Sequence, residues 1–87
     1  MNKLEKLSDL PNIGKVSEKQ LVGIGIKTKE DLEELGSKET WLKIKEIDSS
    51  ACYHKLCALE GAIQNIRWFD LEEADKKNLK DFYNNYK

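Results

Sequence analysis

Residues Leu10-Pro11-Asn12-Ile13-Gly14 form the stretch that decides the fold of this chain. Pro11 is the one proline of the sequence, and because it fixes φ and lacks an N–H, it ends the helical pattern before it. Asn12 and Gly14 tolerate positive φ, which a compact reversal of the chain needs. We therefore predict a tight hairpin that opens into a helix just after Gly14.

The start of that helix is the candidate functional site. Its first N–H groups lack intrahelical partners and lie at the positive end of the helix dipole, so they form a generic anion site whose usual occupant is phosphate. We predict that DNA phosphates are bound there by Asn12, Gly14, Lys15 and Lys19. The same pattern is equally typical of an ordinary corner between two helices that binds no ligand.

Charge is distributed unevenly around this site. Positions 10–29 contain four lysines and one acid, hence a charge of +3, and four acids follow directly within positions 30–34. A basic patch is therefore expected beside the hairpin, although a charge run on a helix is often only a solvated face. Glu18 argues against DNA contact, because a carboxylate next to a phosphate is unfavourable.

Size and composition limit the fold and the class of function. The 87 residues suffice for one small domain. Apolar residues make up 39% and charged residues 36% of the chain, which is typical of a small helical protein with a charged surface. The formal net charge of −1 argues against a protein that coats nucleic acid non-specifically. No apolar run is long enough for a membrane span or a signal peptide, so we predict a cytoplasmic protein with no membrane partner.

Apolar spacing predicts helices on both sides of the hairpin. Leu4, Leu7 and Leu10 indicate a short amphipathic helix that Pro11 ends. The next helix is predicted from Lys15 to about Gly23, with three residues that face the core: Val16, Leu21 and Ile24. The hairpin is therefore expected to join two helices.

Capping residues mark the start of the remaining helices. Thr28 is predicted to cap a short helix, Ser37 the next one, and Asp48 or Ser49 the longest, which runs to roughly Ile66. A last helix begins near residue 70 and frays from about residue 83. No segment alternates as a strand does, so we predict an all-α, small single domain of five or six helices, with the longest at its centre.

Gly61 interrupts the apolar stripe of the longest predicted helix. Glycine in a helix costs about 1 kcal/mol relative to alanine, so we expect another backbone to approach it closely. The neighbour should be the hairpin or the helix that follows it. Glu60 is expected to accept hydrogen bonds from unpaired N–H groups at a nearby helix start.

Two cysteines and the one histidine lie in the same predicted helix. Cys52 and Cys57 point in diverging directions, so we expect two buried free cysteines. His54 with Cys57 and Glu60 falls on one side of the helix, which suggests a nucleophile or half of a metal site. The sequence has no second Cys/His pair and no glycine-rich nucleotide loop, so we predict no enzyme activity, no metal and no cofactor.

The hairpin residues also resemble a known motif. The run 10–14 is similar to a helix-hairpin-helix element of DNA-binding and DNA-repair proteins, together with Ser17, Leu21, Gly25, Ile26, Thr28, Asp31, Leu32, Leu35 and Gly36. With the segment Ala58-Leu59-Glu60-Gly61-Ala62 and with Trp68, Asp70 and Leu71, the chain resembles the C-terminal domain of the TfoX/Sxy family of competence regulators.

This resemblance covers residues 1–87 as one domain, with the hairpin element at about 4–36 and a helical remainder at about 37–87. It implies an α-helical fold and a role in regulating DNA uptake or transcription, without catalysis. Members of the family usually carry a further N-terminal domain, so a stand-alone relative is expected here.

Two functions are compatible with the sequence. The first is weak, sequence-independent DNA binding through the hairpin, roughly in the 10⁻⁴ to 10⁻⁶ M range of non-specific association. The alternative is a protein–protein interaction module in transcription or competence regulation, with no DNA contact. It is suggested by the low net charge, the C-terminal tyrosines and two tryptophans, although Trp41 and Trp68 are expected more often in a core. The sequence does not decide between DNA and a transcription-related protein as the partner, and it does not fix the oligomeric state.

Overall fold

The structure is a computed structural model that describes residues 7–86. Within this range the chain forms five α-helices and two short 3₁₀ turns and no strand, which confirms the all-α prediction. In chain order they are a first 3₁₀ turn Leu7–Asp9, α1 Lys15–Gly23, α2 Lys29–Leu35, α3 Ser37–Ile47, α4 Tyr53–Gln64, a second 3₁₀ turn Trp68–Asp70, and α5 Glu73–Tyr86.

The segment before the hairpin is a 3₁₀ turn where it is described. Leu7 and Leu10 are buried, as their spacing predicts, whereas Leu4 and the rest of the predicted first helix lie outside the described residues. α1 has the predicted bounds. None of the helices within residues 7–86 is both long and apolar enough to cross a membrane.

α4 is the central helix, because α2, α3, α5 and the second 3₁₀ turn all pack against it. It was expected to be the longest, but its 12 residues are fewer than the 14 of α5. Leu56 and Leu59 of α4 meet Trp41 and Ile44 of α3 in the fully buried part of the core.

Trp41 attaches α5 to this core. Its indole N–H donates to the carbonyl of Cys52 at 3.0 Å, so the buried ring has its polar atom satisfied. The rings of Phe82, Tyr83 and Tyr86 meet Trp41 edge-to-face, with centroids 6.2, 5.6 and 4.9 Å away. α5 therefore continues to Tyr86, and the predicted fraying from residue 83 is wrong.

One predicted core position, Val16, is exposed, and so is the large apolar residue Ile47. Val16 is 72% exposed because it precedes Leu21 by five residues, which places it about 140° away around the helix. Ile47 is 58% exposed at the last turn of α3, just before the chain turns at Asp48. Leu21 is fully buried and Ile24 is half-buried, so the buried face of α1 is narrower than predicted.

The helix starts are partly as predicted. The Thr28 hydroxyl accepts the N–H of Asp31 at 3.1 Å and caps α2. Ser37 does not cap α3, because Gly36, with φ +87°, is the single residue between α2 and α3 and takes the N-cap position. The buried Ser37 hydroxyl instead donates to Glu60 Oε1 at 2.7 Å, so Glu60 binds a helix start through a hydroxyl rather than through N–H groups.

α4 starts later than predicted. The Asp48 side chain accepts the backbone N–H of Ser50 at 3.0 Å and stabilises a turn. Residues 48–52 contain this turn and separate α3 from α4. Cys52 is the N-cap residue of α4 and has no capping hydrogen bond from its side chain. The predicted cap at Asp48 or Ser49 is therefore wrong for α4.

Asn12 joins the hairpin to the end of α4. It adopts φ +70°, and its side-chain amide donates to the carbonyl of Ile66 at 3.0 Å and to that of Ala58 at 3.4 Å. Its Oδ1 accepts a hydrogen bond from the backbone N–H of Trp68 at 3.1 Å. One side chain near the start of the chain thus bonds both to α4 and to the segment that follows it.

Gly61 makes this approach possible. A Cβ atom at this position would lie 2.6 Å from Asn12 Nδ2, 2.8 Å from the Ile66 carbonyl oxygen and 3.2 Å from Trp68 Cα. Two of these three neighbours belong to the backbone and cannot turn away. The predicted close approach to Gly61 is confirmed, and the hairpin takes part through the Asn12 side chain. The nearest backbone atoms belong to Ile66 and Trp68 rather than to the hairpin or α1.

The cysteines differ in exposure. Both are free, but only Cys57 is buried, whereas Cys52 is exposed at the N-cap of α4. The prediction of two buried cysteines is wrong for Cys52, because the helix begins one residue after it. Burial raises the pKa of the Cys57 thiol, and a hydrogen bond with Tyr53 lowers it by less.

We predict that Gly61→Ala destabilises the protein, although alanine is the better helix former. The new methyl group must displace Asn12 and press on two backbone segments, and overpacking of this kind costs about 1–3 kcal/mol. The matched control is Gly23→Ala at the end of α1, where a Cβ atom meets nothing within 4 Å and stability should stay level or rise by up to about 1 kcal/mol. Urea unfolding of both variants measures the difference, and equal midpoints would contradict the close approach.

We also predict that the two thiols react at different rates with a thiol-specific reagent near neutral pH. Cys52 should react quickly, whereas Cys57 should react slowly because it is buried and its thiolate is disfavoured. Cys52→Ser should remove the fast phase alone. Loss of the slow phase in that variant, or two equal rates in the wild type, would contradict the burial of Cys57.

Candidate nucleic-acid interface

Three of the four predicted site residues are exposed at the start of α1. Gly14 is the N-cap residue, with extended backbone at φ −97° and ψ −172°, and Lys15 and Lys19 follow one helical turn apart. Neither ammonium group has a hydrogen-bond or ion-pair partner among residues 7–86. Asn12 differs from them, because its half-buried amide already makes three hydrogen bonds within the fold.

The first turn of α1 has no side-chain cap. The carbonyl of Gly14 accepts the N–H of Glu18 at 2.9 Å, and the N–H groups before Glu18 precede the first intrahelical bond. The positive end of the helix dipole therefore lies beside Lys15, which is the arrangement that favours an anion.

Glu18, in the first turn of α1, is engaged by the segment before the hairpin. Its Oε2 accepts the backbone N–H of Ser8 in the first 3₁₀ turn at 3.3 Å. The carboxylate that argued against DNA contact in the sequence thus has a structural partner on the other arm of the hairpin.

A cleft of about 380 Å³ lies between the hairpin, α4 and the second 3₁₀ turn. The residues that matter for its chemistry are Asn12, Ser17, His54, Lys55, Arg67 and Trp68, and no carboxylate lines it. Lys55 Nζ donates to Ser17 Oγ at 2.7 Å and to Gln20 Oε1 at 3.1 Å. These hydrogen bonds hold the α4 ammonium against the first turns of α1, so the cleft and the helix start form one surface.

Trp68 is the aromatic wall of this cleft. It is 39% exposed, and its ring centroid lies 5.1 Å from that of His54 at an interplanar angle of 58°. Phe69 adjoins it outside the cleft, with a centroid distance of 5.6 Å. Of the two tryptophans, which were expected more often in a core, Trp41 is fully buried and Trp68 is not.

Two other clefts on the described part of the chain contain acids. One of about 340 Å³ is lined by Glu39, Glu60 and Asp75, and one of about 300 Å³ by Asp31 and Glu34. Each of these also includes a single lysine. The cleft beside α1 differs in that its charged lining residues, Lys55 and Arg67, are both cationic.

The group His54, Cys57 and Glu60 does not form a shared polar site. Cys57 is buried, and the Glu60 carboxylate accepts hydrogen bonds from Ser37 and Gln64. Within residues 7–86 no group of three or more His, Cys, Asp and Glu side chains is placed to hold a metal ion.

Four residues that line the cleft were not predicted as site residues from the sequence: Ser17, Lys55, Arg67 and Trp68. Trp68 is 56 residues from Asn12 in the chain, and only the tertiary fold brings them together. A usable signal was the cation–aromatic run at residues 67–69, directly after the end of α4. Such pairs are common where proteins bind single-stranded nucleic acid.

The fold has close counterparts among solved structures. An uncharacterized protein from Listeria monocytogenes, crystallised in a triclinic form, superposes with a TM-score of 0.91 and 54% sequence identity, over 94% of this chain and 93% of that one. A protein of unknown function from the same organism, in a tetragonal form, gives a TM-score of 0.89 at 54% identity, over 93% of this chain and 99% of that one.

Proteins with names also match. Protein Sxy of Escherichia coli K12 is 36% identical over 81 residues, which are 93% of this chain and 39% of that protein. The DNA transformation protein TfoX of Haemophilus influenzae Rd is 32% identical over 79 residues, which are 91% of this chain and 36% of that protein. The chain thus spans less than two fifths of the length of either relative. The family model described as the TfoX C-terminal domain matches residues 3–83, and this chain therefore belongs to the TfoX C-terminal domain family.

Proposed function

We propose that this domain is a non-enzymatic, regulatory DNA-contacting module that binds the phosphate backbone weakly and without sequence preference. One observation carries the proposal. The uncapped first turn of α1, with Lys15 and Lys19 exposed, adjoins a cleft whose charged lining residues are all cationic.

The chemistry of this surface suits a phosphate. Backbone N–H groups at a helix start can donate to phosphate oxygens. Lysines that neutralise phosphates release the counterions condensed on the DNA, and this release favours binding. Asn12 is a positioning residue in this proposal, because its amide groups are engaged with Ile66, Ala58 and Trp68. With a few lysine and arginine contacts, the affinity should lie roughly between 10⁻⁴ and 10⁻⁶ M near physiological salt.

The relatives support the regulatory part of the proposal. One of them is called a DNA transformation protein, and the family resemblance implies competence regulation. This chain corresponds to 39% and 36% of the two relatives, so its share in DNA uptake or transcription belongs to the proposal. A cytoplasmic location is part of the same proposal, because a regulator that contacts DNA acts there.

A protein partner is the second candidate function. Val16 and Val22 are exposed on α1, and Ile47 is exposed at the end of α3. Apolar side chains of this kind contribute to protein interfaces when they form a continuous patch. In this alternative a transcription-related protein covers α1, and the lysines contribute only solubility.

We predict that Lys15→Gln combined with Lys19→Gln weakens binding of a labelled short duplex at low salt, measured by fluorescence anisotropy. The plot of log K against log salt should become shallower by about two units, because about one counterion is released per lost phosphate contact. The matched control is Lys43→Gln combined with Lys80→Gln, which removes the same charge from exposed positions on α3 and α5 and should change the slope little.

Equal losses in both double variants would mean that net charge alone drives binding, and would contradict a site at α1. No wild-type binding below about 1 mM, which is outside the non-specific range, would contradict DNA contact altogether and leave the protein partner as the function.

A further inference from the structure

We propose that the cleft beside α1 binds an unpaired base of single-stranded DNA, stacked on Trp68, while Lys55 and Arg67 contact the phosphates on either side of it. The inference rests on the proposed DNA contact and narrows its ligand from any duplex to a single strand.

The exposure of Trp68 is the first observation. The indole is not needed to anchor the second 3₁₀ turn. Leu71, directly after this turn, is buried, and the backbone N–H of Trp68 donates to Asn12 Oδ1. The ring is 39% exposed beside His54, whereas Trp41 is fully buried, so the Trp68 ring is available to a ligand in the cleft. An exposed aromatic ring in a cationic groove is the usual platform for base stacking.

The size of the cleft is the second observation. Its volume of about 380 Å³ lies in the range of about 300–1,000 Å³ that is typical of small-molecule sites. It therefore has room for a base with its sugar. The ring of Trp68 supplies an apolar wall, and the hydroxyl of Ser17 and the ring nitrogens of His54 supply polar groups.

The arrangement of charge is the third observation. Arg67 is the chain neighbour of Trp68, and Lys55 is held at the first turn of α1 by Ser17 Oγ at 2.7 Å. The two cations line the cleft with no carboxylate among its lining residues, so phosphates on both sides of a bound base would meet a positive charge.

Single strands should be preferred over duplex for a geometric reason. In a duplex each base is stacked and paired, so reaching Trp68 inside a cleft would require base flipping, which is energetically costly. An unpaired base meets no such cost. Both forms of DNA can make phosphate contacts with Lys15 and Lys19. Stacking on Trp68 should therefore cause the difference in affinity between single-stranded and duplex DNA.

The wild-type protein carries its own probe for this proposal. Trp41 is fully buried, so a base that stacks in the cleft should quench the fluorescence of Trp68 alone. We would titrate the protein at low salt with a short oligo(dT), with oligo(rU) of the same length, with an abasic strand of the same number of phosphates, and with a duplex.

We expect quenching by oligo(dT) and an affinity at least about fivefold higher than for the abasic strand, as stacking of one base supplies. Oligo(rU) should quench equally if the sugar is not read. Weaker quenching by oligo(rU) would identify DNA as the preferred strand, and both results support the stacked base.

Trp68→Leu should abolish the preference for oligo(dT) over the abasic strand in an anisotropy assay, while binding of the abasic strand persists. Phe69→Leu is the comparison variant. This neighbouring exposed ring lies outside the cleft but packs on Trp68 and has the Arg67 guanidinium 6.0 Å from its centroid, so its loss should weaken the preference less than Trp68→Leu does. If Trp68→Leu does not fold, Trp68→Phe keeps a ring and should retain the preference in part.

Equal affinity for oligo(dT), abasic strand and duplex, without quenching, would overturn the single-strand proposal and leave the phosphate contact of the proposed function standing. Absence of binding to all four ligands would overturn both. Loss of the base preference in Phe69→Leu but not in Trp68→Leu would overturn the assignment to the cleft.

Discussion

Three hydrogen bonds made by the Asn12 side chain hold the two ends of this domain together. They attach the hairpin to the C-terminal end of α4, where Ile66 and Trp68 leave the helix. The contact requires a positive φ at Asn12 and the absence of a side chain at Gly61. The contact places the start of α1 beside the second 3₁₀ turn, and Lys55 of α4 adds hydrogen bonds to Ser17 and Gln20 of α1. The candidate interface is therefore a product of one tertiary junction, not of a local motif.

Charge is distributed unevenly over the described surface of the domain. The formal net charge is −1, yet the described clefts differ sharply, since carboxylates line two of them and none lines the third. Glu18, the acid nearest the helix start in sequence, accepts the N–H of Ser8. Local potential, rather than net charge, determines where a polyanion can approach a small domain. This explains how an acidic chain can be proposed to contact DNA.

Local signals predicted the parts of the fold that depend on neighbours in sequence. The helix Lys15–Gly23, the Thr28 cap and the close approach at Gly61 follow from backbone preference and spacing, and all three are observed. One error is local, and the others arise where distant residues decide. Serine is a common N-cap residue, but only Gly36 lies between α2 and α3, so Gly36 and not Ser37 takes the N-cap position of α3. Lys55 and Trp68 could not be assigned to the site, because only packing of α4 brings them to α1. The role of the four predicted site residues in binding stays a prediction.

We propose that the start of α1 and the Trp68 cleft form one binding surface. An amide-shift titration of the ¹⁵N-labelled protein with oligo(dT), at low and at raised salt, tests it most directly. We expect the Gly14 and Lys15 amide signals and the Trp68 indole N–H signal to shift over the same range of oligo(dT) concentration and to shift less at raised salt. The Trp41 indole signal should not move. Shifts centred on the acidic cleft between α3 and α5, or no shift at Gly14, Lys15 and Trp68 at saturation, would contradict it.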